Sequence, residues 1–256
     1  SDMALKPTRA AFFDVDNTLV RGSTLYFLGR GMYQRGYFTK ADISRFVVAN
    51  LRFRMTGTEK KDVIDRFQKA ATDFVGGHKV SDILALGEEI YDEYVSPKLW
   101  ERTCEIAREH LSRGEDVWLV TAAPQDMANI IAQRLGLTGA IGSKVVIENE
   151  IFTGELDGKI LHGSEKAIAI TKLAQERGYD LRNCYSYSDS HNDIPLLTAV
   201  GNPSAINPDA ILRIKALAEG WPVHDFRRAR YLNRLLGPAV SRLAALATLF
   251  VPRKRR

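Results

Sequence analysis

Residues 9–18 read Arg9-Ala10-Ala11-Phe12-Phe13-Asp14-Val15-Asp16-Asn17-Thr18, and this stretch decides the fold. A continuous apolar run of strand length that ends on an acidic residue is the pattern of a strand buried on both faces, the situation of parallel sheets. Asp116-Val117-Trp118-Leu119-Val120 repeats it. Helical spacing follows from Pro124 to Leu135, with proline near the start, where its fixed φ is already helical. Lys144 to Ile147 and Glu150 to Gly154, joined by Glu148-Asn149, read as an antiparallel hairpin. Beyond it come a helix from Ser164 to Arg177, a strand at Cys184–Tyr187, a helix from Asn192 to Ala199 and a short strand at Asn202–Ile206. Between the first two strands, from about Thr24 to Ser112, the spacing is helical. Turn signals at Gly36, Gly57, Gly76-Gly77 and Ser96-Pro97 divide it into four or five helices without a strand. Strands alternating with helices predict an α/β protein with a doubly wound parallel sheet. Its Rossmann-like core takes residues 1–20 and 113–224, an all-helical cap takes 21–112, and 225–256 form a C-terminal tail.

The chain has 256 residues, 45% hydrophobic and 26% charged, which excludes wholesale disorder, collagen and coiled coil. Cys104 and Cys184 are the only cysteines. They have no CxxC spacing, so neither a disulfide framework nor a structural zinc site is indicated. The net charge of +5 is unevenly placed. Nine basic residues against one acidic give +8 from Asp225 onward, and residues 1–224 carry 27 basic against 30 acidic. Basicity confined to a tail argues against a nucleic-acid-binding body, which spreads Lys and Arg over a face of the fold. No apolar leader pattern precedes the first strand, so a cytoplasmic protein is expected.

Open parallel sheets bind ligands at the carboxyl ends of their strands, so the polar residues there belong together. They are Asp14-Val15-Asp16-Asn17-Thr18, Thr121-Ala122-Ala123-Pro124, Gly163-Ser164-Glu165-Lys166, and Ser188-Asp189-Ser190-His191-Asn192-Asp193. Each is a weak signal alone and a strong one in combination. In this order, from Arg9 to about Asn207, they resemble the four signature motifs of the haloacid dehalogenase superfamily of phosphatases. The helical insertion after the first motif is similar to the cap of the phosphoserine phosphatase-like subfamily.

The resemblance implies a phosphomonoesterase that works through an aspartyl-phosphate. It makes Asp14 the nucleophile, a route open to carboxylates. Asp16 becomes the acid that protonates the leaving oxygen and the base that activates water. Thr121, the Ala122 amide, Lys166 and Asn192 become donors to the phosphoryl oxygens. Carboxylates beside a doubly charged ester need a cation, and Mg2+ suits a few carboxylates with waters and phosphate oxygens. Its expected ligands are Asp14, Asp189 and the backbone carbonyl of Asp16, with Asp193 supporting the site from behind. The histidines at 78, 110, 162, 191 and 224 lack metal-binding spacing and are read as surface or packing residues, as are Tyr185 and Tyr187.

Substrate choice is expected in the insertion, which closes over the site. Phosphoserine phosphatases of this family hold the substrate ammonium with an acid shortly after the first motif. Val20 to Phe27 contains none, and the next acid is Asp42. Ser23, Arg21 and Tyr26 are therefore the specificity candidates, within a cap that also carries Arg30, Arg35, Arg45, Arg52 and Arg54. The expected substrate is a small phosphorylated metabolite or a lipid phosphate such as a lysophosphatidate. Competing readings are phosphoserine phosphatase proper, phosphoryl transfer to an acceptor other than water, and a non-catalytic binding protein on the same fold.

Plotted as a helix, Arg230 to Val251 gathers Leu232, Leu236, Leu243, Leu246 and Phe250 within an arc of about 80°. Pro238 and Arg242 interrupt a stretch already too short to span a membrane. The stripe suits either docking on the core or a dimer partner, or an interfacial helix with its arginines on anionic lipid at the inner membrane face.

Overall fold

The computed structural model describes residues 7–41, 44 and 75–227. Its centre is a sheet of six parallel strands in the order β3-β2-β1-β6-β7-β8. β1 (Ala10–Phe13) lies between β2 (Asp116–Pro124) and β6 (Tyr185–Ser188). β3 (Gly139–Ser143) forms one edge, and β7 (Asn202–Ile206) leads to β8 (Val223–His224) at the other. All four residues of β1 are fully buried. Ala11 and Phe13 pack into one core with Val117 and Leu119 of β2, while Ala10 and Phe12 pack into a second with Trp118 and Val120. That alternation is what two covered faces impose on a continuous apolar run.

The helix expected at Ser164–Arg177 forms over those residues and ends on Gly178 in the left-handed conformation, φ 78°. The antiparallel hairpin forms from β4 (Val145–Glu148) and β5 (Ile151–Leu156) as a separate two-stranded unit. Other expectations need correction. β2 runs on past Val120 to Pro124, with an irregular register against β3, and Pro124 stands just before the helix Gln125–Arg134. The helix expected from Asn192 opens as a tight turn at His191–Asp193 and becomes α-helical only at Ile194–Thr198. The sequence reading also lacked β3, β8 and the helix Ala210–Glu219.

In order, the helices are α1 (Thr24–Gln34), α2 (Val80–Ile90), α3 (Glu101–Ser112), α4 (Gln125–Arg134), α5 (Ser164–Arg177), α6 (Ile194–Thr198) and α7 (Ala210–Glu219). α1 and α2 belong to the insertion and pack closely. A Cβ added at Gly31 would come within 2.5 Å of the Ile90 side chain, so only glycine allows this approach. Arg35, just after α1, pairs with Glu89 of α2 at 2.8 Å and with Glu93, three residues beyond α2, at 3.0 Å. α3 lies against β1 and β2, and the Thr103 hydroxyl donates to the Thr18 carbonyl at 2.9 Å. The middle of the insertion, with Arg45, Arg52 and Arg54, and the tail stripe from Arg230 to Val251 lie outside the described residues. No helix among the described residues is long and apolar enough to cross a membrane.

Candidate active site

The parallel register brings the carboxyl ends of β1, β2 and β6 to one edge, and the polar segments meet there. The Asp14 N–H donates to the Tyr187 carbonyl at 2.9 Å, so β6 fixes the backbone of the first motif. The chain then turns sharply. Leu19 and Val20 both donate to the Val15 carbonyl, and Asn17 takes the left-handed conformation at φ 59°, which asparagine tolerates better than most residues. The turn directs Thr18, fully buried, back at the carboxylates. Its hydroxyl lies 2.9 Å from Asp14 and 3.4 Å from Asp189.

Lys166, in the first turn of α5, is buried between two carboxylates, with Nζ 2.6 Å from Asp14 and 2.7 Å from Asp193. Asp193 also accepts from the Ser188 hydroxyl at 2.7 Å. Asp16 turns the other way, accepting from the Thr24 N–H at 2.9 Å and from the Thr24 hydroxyl, at the start of α1. A cavity of about 260 Å3 joins these groups, lined by Asp14, Asp16, Asn17, Thr121, Ala122, His162, Lys166, Asp189, Ser190, Asn192 and Asp193.

Eight expected site residues thus share one space: Asp14, Asp16, Thr121, Ala122, Lys166, Asp189, Asn192 and Asp193. Asn17 and Ser190 line it too, with no role assigned to them from sequence, and His162, read from sequence as a surface or packing residue, also lines it. The three specificity candidates do not line the cavity among the described residues. Arg21 donates to the Pro97 carbonyl at 2.8 Å and stacks over Trp100, Ser23 caps α1 by accepting from the Tyr26 N–H, and the Tyr26 side chain is 56% exposed.

The electrostatics are out of balance. Burial raises the Asp14 pKa to about 6 although Lys166 opposes the rise. Burial, with Asp14 and Asp193 nearby, raises Asp189 to about 8. Asp16 is raised by burial against its bonds to Thr24. Lys166 is held above its ordinary range, because the two carboxylates outweigh the burial that works against its charge. Four carboxylates therefore surround one ammonium, and Asp189 has no ion-pair partner among the described residues. An oxygen-only donor set with surplus negative charge fits a hard divalent cation, whose charge would reverse these shifts. Among the described residues no three His, Cys, Asp or Glu side chains are placed to hold a metal ion by themselves, so any such ion would need backbone, water and ligand oxygens as well.

Comparison with known proteins shows the family. The family described as haloacid dehalogenase-like hydrolase matches residues 11–198. Phosphoserine phosphatase SerB1 of Mycobacterium tuberculosis is 47% identical over 248 residues, covering 94% of this chain and 80% of its own. A probable phosphatase of the same organism is 32% identical over 241 residues, covering 94% of this chain and 83% of its own. Among solved structures, a protein of unknown function from Bordetella pertussis Tohama I superposes with a TM-score of 0.75 at 27% identity, covering 85% of this chain and 99% of that one.

Proposed function

Because the chain belongs to the haloacid dehalogenase-like hydrolases, we propose that it hydrolyses a phosphomonoester through an aspartyl-phosphate on Asp14. The observation that carries this is the Asp14–Lys166–Asp193 chain of contacts beside one cavity, with Thr18 behind it bridging Asp14 to Asp189. A carboxylate oxygen of Asp14 attacks phosphorus, and the bond to the ester oxygen breaks. Asp16 gives that oxygen its proton, so the alcohol leaves neutral. In the second half Asp16 takes a proton from water, whose oxygen attacks phosphorus and frees Asp14 and inorganic phosphate. Lys166, the Thr121 hydroxyl, the Ala122 N–H and Asn192 stabilise the charge on the phosphoryl oxygens. Lys166 thereby has two roles, since the same ammonium keeps Asp14 charged and faces the phosphate.

Asp14, Asp189 and the Asp16 carbonyl would hold Mg2+, which supplies neutralisation of the phosphate's charge when bound. The side chain of Asp16, held by Thr24 and Ser23, is left out of that ligand set and serves proton transfer.

The insertion is the substrate-selecting cap and the tail a contact for membrane or partner. The substrate is a small phosphorylated metabolite or a lipid phosphate. Ser23 uses its oxygen to cap α1 and offers no charge to an ammonium group, which weighs against phosphoserine. The relative named phosphoserine phosphatase keeps that second reading in place. A panel of phosphoserine, sugar phosphates and lysophosphatidate, ranked by kcat/KM with Mg2+ present and absent, decides between them. Failure to hydrolyse any ester, including a chromogenic one, would refute the phosphatase reading.

A further inference from the structure

The loop that carries Asp189 is held from a point outside the cavity. Asp209 stands between β7 and α7 and is not among the residues that line the site. Its N–H donates to the Asp189 carbonyl at 2.8 Å. Its Oδ2 accepts from the His191 N–H at 2.8 Å and faces the His191 ring Nδ1 at 2.8 Å. One residue thus holds the loop on both sides of Ser190. The other carboxylate oxygen caps α7 by accepting from the Leu212 N–H at 2.8 Å.

Asp209 is itself well anchored. Asn207, two residues before it, is buried in the left-handed conformation at φ 48°. Its N–H donates to the His224 carbonyl at 2.7 Å, and its side chain accepts from the Phe226 N–H at 2.8 Å. The Pro208 carbonyl accepts from Arg227 at 3.0 Å. The carboxyl of Asp209 stays below its ordinary pKa: burial works against its charge, and the bonds from the Leu212 and His191 N–H groups and the His191 ring outweigh it. It is an ionised acceptor on an anchored segment, reaching toward the loop that carries Asp189.

We propose that Asp209 is a positioning residue for the cation site, fixing where the Asp189 carboxylate sits by holding the Asp189 carbonyl and the His191 N–H from one anchored point. The inference rests on the reading that Asp189 ligates the cation. Residues that orient a metal ligand without touching the metal have sizeable effects, about 10- to 100-fold in affinity or activity.

The test is direct calorimetric titration of Mg2+ into the full chain, alongside thermal midpoints. Asp209→Ser keeps a good helix cap on α7 but is too short to reach His191. Its Mg2+ dissociation constant rises about tenfold, while the thermal midpoint stays near the wild-type value and kcat at saturating Mg2+ is largely kept. His191→Ala retains the backbone N–H and changes the constant by less than about twofold, since only the ring contact is lost. A lowered midpoint with unchanged Mg2+ binding in Asp209→Ser would make the Asp209–His191 contact a stabilising one with no part in the cation site, and would overturn the proposal. So would wild-type binding in that variant beside weakened binding in Asp189→Ala. Unchanged binding in Asp189→Ala itself would overturn the cation reading, and this inference with it.

Discussion

Asp14 and Glu115 are both buried carboxylates beside the central strands, and their surroundings are opposite. Glu115, just before β2, is 4% exposed and faces cationic or hydrogen-bonding partners on every side the structure describes. The His110 ring lies 2.5 Å away, Arg113 3.2 Å and Arg9 3.5 Å, while the far side of the His110 ring meets the Tyr187 hydroxyl at 2.8 Å. Its carboxyl is held below its ordinary pKa: burial pushes the other way, and the bonds to His110 and Arg113 win. Asp14, 5% exposed, shares one lysine with Asp193 and has Asp16 and Asp189 as neighbours, so its pKa is pushed up to about 6. The first cluster is neutralised and closed. The second is left in deficit of positive charge beside an open cavity, which is the arrangement of a site that awaits a ligand.

The sharpest way to break this comparison is to remove the Asp14 charge. Asp14→Asn abolishes hydrolysis, with a loss of roughly 10^4-fold or more in kcat if the nucleophile reading is right. Its thermal midpoint without Mg2+ stays at or above the wild-type value, because a repelled charge has gone. Residual turnover near wild type would sink the mechanism. Glu115→Ala predicts the reverse pattern. Removing a buried carboxylate that leaves the His110 ring nitrogen without its partner costs about 1–3 kcal/mol of stability, read by denaturant unfolding, while kcat of the folded fraction is kept. An active-site role for Glu115 would show instead as lost kcat in protein that unfolds at the normal midpoint. Asp189→Asn is smaller again. It raises the Mg2+-free midpoint by a few degrees, the shift that about 1 kcal/mol produces in a chain of this size, and it weakens Mg2+ binding. A lowered midpoint would mean that the Asp189 charge is stabilised in the fold.

The two clusters also differ in how legible they were. Asp14, Lys166 and Asp189 could be found because each follows a strand, and a parallel register places all strand ends at one edge. β1 and α5 were readable for related reasons, as a run buried on both faces and as a helix closed by Gly178. The edge strand β3 was not, since Gly139-Ala140-Ile141-Gly142-Ser143 carries little strand propensity. Its glycine is set by a neighbour: a Cβ at Gly139 would lie 2.5 Å from the Trp118 ring. The His110–Glu115–Tyr187 cluster joins α3, the turn after it and β6, three places that no local pattern connects. Asp209 acts through backbone groups of a loop 18 residues away, and backbone contacts leave no residue signature. Arg21 and Tyr26 failed as cavity-lining residues because the start of α1 carries them away from the strand ends, whereas Ser23 meets the Asp16 carboxylate without lining the cavity. α1 starts at Thr24 and spends Ser23 on its cap.

The smallest expected effect separates the clusters by pH. Burial lowers the His110 pKa from its ordinary 6.5, despite Glu115 beside it. A group whose folded pKa is depressed contributes stability that is present above its unfolded value and lost as pH falls through the folded one. For His110 the loss therefore begins below about pH 6.5 and continues downward, with a slope of at most about 1.4 kcal/mol per pH unit for one proton. Glu115, also depressed, adds a loss of the same sign below its ordinary value of 4.5. The Asp14 and Asp189 shifts are upward and act oppositely in the metal-free protein, so the raw pH profile of stability mixes the clusters. The difference between wild type and His110→Gln isolates one of them. Gln cannot gain a proton, so its stability deficit is largest at pH 7.5 and narrows as pH falls to 5. Unfolding by urea at several pH values with excess Mg2+ reads this difference. A gap that stays constant from pH 7.5 to 5 would show that His110 does not change protonation on unfolding, and a gap that widens toward acid would mean it is charged in the fold.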